Sequence, residues 1–278
     1  MKRLVFFFLS FFLLLSPARA QEVGSTDSSS LKTDGIWQKE RLDEEISTLK
    51  ASYQSQLENY LYQDKLYRIA YDQHQELQTL SSIEDLTQKA KSLGIYRDEV
   101  LISYLNLLRL NLIATEGIEL SLKNESLAKL ETTLDYIGIH QENLKNINDR
   151  DQVVASLMTF TTDQKNLNNL ANEVLVLLSV GNLQVIYDKS VVLKGEIDLY
   201  LEQKGTSTLP SIDRASYETN RSLDSAKLKL DTFWTDVIEH RTSNWYLAKF
   251  YDQLPKTLNP IYVNLSQSIS YLSELLSI

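Results

Sequence analysis

His74, His140 and His240 are the only imidazoles in the chain, which makes them the first place to look for acid–base or metal chemistry. None has a glutamate three residues before it, so the Glu-x-x-His arrangement of di-iron bundles is missing. Asp236 and His240 lie one helical turn apart and could share an ion, but two ligands do not make a site. Their spacing reads as an exposed pair on a helix face. Cysteine is absent, which removes thiol nucleophiles, thiolate ligands, disulfides and cysteine-borne lipid. There is no Gly-x-Ser-x-Gly elbow and no glycine-rich loop to cradle phosphate. A triad assembled in space from the many serines would leave no signature in the sequence, and nothing points to one. The residues therefore predict a non-enzymatic chain with no metal and no cofactor.

Two other groups could make contacts rather than catalyse. Arg109 sits in the most apolar part of the chain. If buried, it needs a partner, with Asp64 and Glu116 as candidates, or a polar cavity that could take a carboxylate ligand. The more ordinary arrangement runs its stem over apolar surface and leaves the guanidinium at the edge. The second group is Trp234, Trp245 and Tyr246, in a stretch crowded with aromatics between Phe233 and Tyr251. Phe233 and Val237 fall on the inner stripe of that stretch, which displaces the tryptophans to its side. Tryptophans placed so are enriched where proteins meet partners or sugars, and they also close the edges of bundles.

The elements that must carry these residues all read as helices. Arg97 to Lys123 has apolar residues pointing in nearly every direction, as in a helix covered from several sides. Asn106, Arg109 and Asn111 interrupt it too often for a membrane span. Before it, Leu42, Ile46, Leu49, Tyr53, Leu57 and Tyr60 form one stripe, continued by Tyr67 and Tyr71, on a long helix from Ile36. Ser81 and Ser82 with Glu84 and Asp85 suggest a capping box opening a short helix that Gly94 would end. Leu127, Leu130, Leu134, Ile137, Gln141 and Leu144 keep a 3–4 alternation. A break at Asp149–Asp151 restarts a helix whose end, Val174–Val180, is nearly all apolar. Gly181–Asn182 reads as a stop and a new start. Gly205 to Pro210 is the clearest linker. Ser211–Gln253 then reads as a second very long helix, Leu254–Pro260 as a turn, and Ile261 onward as a last amphipathic helix.

Only 8 glycines and 4 prolines in 278 residues agree with that helical reading. The fold expected is an all-α, elongated antiparallel bundle of seven or eight coiled-coil-like helices over residues 36–278, with a possible sub-boundary at 205–210. Ahead of it, residues 1–20 (MKRLVFFFLSFFLLLSPARA) have the positive start, apolar core and Ala-x-Ala end of a signal peptide. Residues 21–35 are polar and Ser-rich, as in a disordered spacer. The first twenty residues hold three basic residues and no acidic ones, so the remainder is still more acidic than the whole chain, whose net charge is −9. That disfavours nucleic acid as a partner. The expectation is an exported protein of the cell surface, periplasm or extracellular space that touches membrane only if its N-terminal segment is kept. Its expected partner is a protein or another cell-surface component. The roles this leaves are scaffold, spacer or adhesion module, and, as the second reading, a sensor with an inter-helix pocket near Arg109.

Overall fold

A computed structural model describes residues 31–205, 210–240 and 244–277, with side chains from Gln38 onward except at Thr162 and residues 244–252. The expected signal peptide, and residues 21–30 of the expected spacer, lie outside the described residues. The chain divides into two units, Met1–Glu40 and Arg41–Ile278. The packing below belongs to the second, within which the 205–210 linker falls.

The protein is an all-α bundle. Among the described residues there are six helices, α1 (Leu31–Leu77), α2 (Leu80–Ala114), α3 (Leu120–Asn146), α4 (Arg150–Lys204), α5 (Pro210–His240) and α6 (Asn244–Leu276), and no strand. The expected seven or eight is too many, because three of the breakers read in the sequence lie inside helices. Gly94 is in α2 and Gly181 in α4, where each lacks a Cβ because a neighbour occupies its place. Pro255 and Pro260 are in α6 rather than in a turn. Each interior proline costs about 3 kcal/mol, and the burial of Leu254, Ile261 and Leu265 around them offsets that. Conversely, the single helix expected over 211–253 is two, since α5 ends at His240 and α6 packs back against it.

Local chemistry explains the true ends. Gln78, with a left-handed φ of 49°, closes α1, and Thr79 caps α2 by accepting from the Ser82 N–H while the Ser82 hydroxyl accepts from the Thr79 N–H. The capping box is therefore Thr79 with Ser82, not Ser81 and Ser82 with the acidic pair. The central helix stops at Ala114, short of the expected Lys123, and Lys123 Nζ caps it by donating to the carbonyls of Ile113 and Thr115. Asp149 accepts from the Gln152 N–H to start α4, and Gly205, at φ 68°, ends it. The last five residues of the expected spacer, 31–35, are helical.

Helix α4, 55 residues long, is shared by two packing groups. It packs with α2 and α3, and also with α5 and α6, which pack on each other. Val174 to Leu178 and Val180 are buried, as the apolar run required. A window of α4 is long and apolar enough to cross a membrane, and 56% of it is covered by the bundle, as in a core helix. Toward its end Ile197 and Leu201 join Ile212, Ala215, Leu272 and Leu275 in one apolar cluster. Helix α1 contributes Tyr53, Leu57, Tyr60 and Ala70 to the interior, and Tyr53 meets Tyr104 of α2 with ring centroids 6.0 Å apart.

Candidate functional site

The densest chemistry in the molecule lies where α2, α3 and α4 meet. Asp98 on α2 is completely buried. Its Oδ2 lies 2.6 Å from His140 Nδ1 of α3, and its Oδ1 accepts from Arg97 Nε at 3.0 Å and Nη2 at 2.8 Å. The far nitrogen of the same imidazole, Nε2, lies 3.0 Å from Ser156 Oγ on α4 and 3.3 Å from the Ser156 carbonyl. The Arg97 guanidinium stacks 3.4 Å above the Phe160 ring, which also lies beside His140. One turn along α3, the Tyr136 hydroxyl donates to Asp163 at 2.5 Å. Burial, reinforced by that carboxylate, pushes its pKa up to about 12.

Gly94 sets these distances. It lies one turn before Asp98 on the same face of α2, and a Cβ there would stand 2.6 Å from Leu144 and 2.7 Å from Leu157. Leu144 is one turn beyond His140, and Leu157 follows Ser156. The missing side chain thus draws α3 and α4 in at the level where the carboxylate must reach the imidazole.

Carboxylate, imidazole and hydroxyl in this order have the connectivity of a nucleophilic triad. With Asp98 accepting from Nδ1–H, Nε2 is the acceptor for the serine proton. Two features oppose transfer chemistry. Arg97 already compensates the Asp98 charge that would otherwise stabilise an imidazolium. Ser156 lies in the second turn of α4, where backbone N–H groups serve the helix and none is spare to hold an oxyanion. What the constellation does with its geometry is tie three helices together through one buried ring. A second polar link joins α3 to α4. Lys129 Nζ contacts both oxygens of the buried Glu173, at 2.9 and 3.2 Å, and Ser126 Oγ approaches at 3.4 Å. Burial disfavours the Lys129 charge, but hydrogen bonds to Glu173 and Glu125 outweigh it and raise the pKa above the usual lysine range.

Of the residues singled out in the sequence, His140 lies in this network and the others are elsewhere, His74 with its Nδ1 3.0 Å from Ser82 Oγ. Arg109 on α2 is about a third exposed, with Glu131 of α3 at 3.8 Å as its carboxylate and its Nε buried without a hydrogen-bond partner. Neither expected partner holds it: Asp64 pairs with Arg68 one turn along α1 at 2.5 Å, and the ion pair Arg109 does make is with Glu131 rather than Glu116. Trp234 is half-buried on α5. Trp245 and Tyr246 fall on α6, where their side chains lie outside the described residues. His240 and Asp236 form an exposed pair at 3.3 Å.

The buried network escaped sequence reasoning because its members come from three helices with no common spacing. The one available signal was a carboxylate in the most apolar segment and an imidazole beside an apolar stripe, each of which demands a partner. In comparisons with known proteins, the chain matches no family model, no curated protein and no solved structure.

Proposed function

We propose that this is an exported, non-enzymatic helical-bundle protein that acts through its surface, as a scaffold, spacer or interaction module of the cell envelope. One observation carries the reading. Asp98, His140 and Ser156 are spent inward, on tying α2, α3 and α4 together, while large apolar side chains such as Val192, Leu199, Tyr262 and Leu276 remain outside. The leader-like residues 1–20 support an extracytoplasmic location.

The test is fractionation of the native cell with mass spectrometry of the protein found outside the cytoplasm. A mature chain beginning near Gln21 is expected. An intact Met1 confined to the cytoplasm overturns export, and any hydrolysis by the purified protein that disappears in Ser156→Ala overturns the non-enzymatic reading.

A second reading, ligand binding near Arg109, has one observation in its favour, the buried Nε that lacks a partner. A small acid or sugar bound there at a hundred times its Kd would stabilise the fold by roughly 2.7 kcal/mol. A thermal-shift screen against both classes checks it, with Arg109→Ala expected to abolish any shift.

A further inference from the structure

We propose that two copies of this chain associate about a two-fold axis, through the outer face of α4 and the neighbouring row of α6. The inference rests on the reading of the protein as one that acts by its surface, and it names the partner: a second copy.

Three large apolar side chains on α4, Ile186, Leu193 and Tyr200, are exposed at seven-residue spacing. Three on α6, Tyr262, Ile269 and Leu276, repeat that spacing and are exposed too. Because α4, α5 and α6 pack as consecutive helices joined by short connections, α4 and α6 run in the same direction. Leu272 and Leu275 share a cluster with Ile197 and Leu201, which brings the two rows level. Both rows also turn away from α5. On α4, Tyr187 takes the α5 side, with Lys227 over its ring, and on α6 Asn264 does, donating to Ser225 at 2.8 Å. Helical geometry at 100° per residue then puts both rows on the opposite flank, bordering one seam. Three rungs seven residues apart extend about 21 Å along the helices.

Charge decides the occupant. With a net charge of −9, two copies repel unless they meet on a face that lacks excess negative charge. From Thr257 to Ser273, α6 contains no charged residue. On α4 this face carries the exposed cation Lys189 and the exposed anion Glu196, with Lys204 over the Tyr200 ring at its end, so it holds no excess negative charge. The positions of Lys189 and Glu196 are antisymmetric about the point between Val192 and Leu193. Turning a second copy by 180° about an axis through that point sets Lys189 of each opposite Glu196 of the other. The same operation sets Ile186 beside Tyr200 of the other copy, Leu193 beside its own copy, and the α6 row against its own copy. Such self-complementarity is the requirement of an isologous interface. A patch two helices wide and about 21 Å long covers about 400 Å² per partner, half that of a standard stable complex, which fits a weak, concentration-dependent dimer.

Sedimentation velocity on the purified mature protein tests this, with circular dichroism confirming that each variant stays helical. The expected result is a dimer whose Kd rises at least about tenfold in Lys189→Glu, where like charges meet twice. The double exchange Lys189→Glu with Glu196→Lys is expected to restore it. A monomer at about 100 μM, a dimer indifferent to Lys189→Glu, or a double exchange that fails to rescue each overturns the proposal. None of these outcomes touches export or the non-enzymatic reading, which stand or fall by cell fractionation and activity.

Discussion

Asp98 has no exposed surface and receives two hydrogen bonds from Arg97 besides its contact with His140. Removing that carboxylate leaves a guanidinium and an imidazole beside each other without their anion. Asp98→Ala is therefore expected to cost about 3–5 kcal/mol, and Asp98→Asn less, since the amide keeps one acceptor oxygen. Ser156→Ala removes one neutral hydrogen bond from a half-exposed position and is expected to cost only about 1 kcal/mol. Urea unfolding of the three variants gives the order, and an Asp98→Ala midpoint equal to that of the parent protein would show that the clamp contributes nothing. At this scale the sequence was least legible. Arg109 stood out because it interrupts an apolar run, whereas Asp98, at the start of the same run, looked like an ordinary polar residue. Which of the two the fold would bury depends on neighbours more than 40 residues away.

At the level of elements, glycine separates what the sequence suggests from what packing requires. Gly94 and Gly181 read as helix ends, yet both lie inside helices against close neighbours. Gly117, between α2 and α3, is packed hardest, because a Cβ there would stand 2.2 Å from the carbonyl oxygen of Gly181, a backbone atom with little freedom to move. Gly138, within α3, has open space around it. Alanine substitutions should therefore differ in sign. Gly138→Ala is expected to stabilise by about 0.5–1 kcal/mol through helix propensity alone. Gly117→Ala is expected to destabilise by roughly 1–3 kcal/mol or more through overpacking. Gly94→Ala should fall between, since the methyl ends of Leu144 and Leu157 can yield somewhat. Thermal unfolding of the three variants checks the order, and a destabilised Gly138→Ala would count against it. Helix identity itself was legible: the seven-residue repeat of Leu130, Ile137 and Leu144 on α3, and the 3–4 alternation of Leu223, Ala226, Leu230, Phe233 and Val237 on α5, are the repeats of buried positions.

Over the molecule as a whole, tyrosines couple stability to alkaline pH. Burial raises the pKa values of Tyr53, Tyr60, Tyr136 and Tyr187, the first and third to about 12 from an ordinary 10.0. The folded state holds these protons more tightly than the unfolded chain does. Their contribution is thus complete below pH 10 and is lost as pH rises toward 12. Tyr53, almost wholly buried, accounts for at most about 2–3 kcal/mol of that loss. The urea midpoint is expected to fall between pH 9 and pH 11.5, and to fall less steeply in Tyr53→Phe. An unchanged midpoint over this interval would contradict the burial argument.

Composition and periodicity alone determined that the described residues are all-α, which faces of most helices are apolar, and that Val174–Val180 must be covered. Those properties follow from each residue's own preference for water and from a repeat of 3.6 residues, both local. Only the tertiary structure decided that a glycine is a contact rather than an end, that α5 and α6 are two helices, and that Asp98 meets His140 and Ser156. Each of these depends on the distance between backbones remote in sequence, and no local spacing encodes that distance.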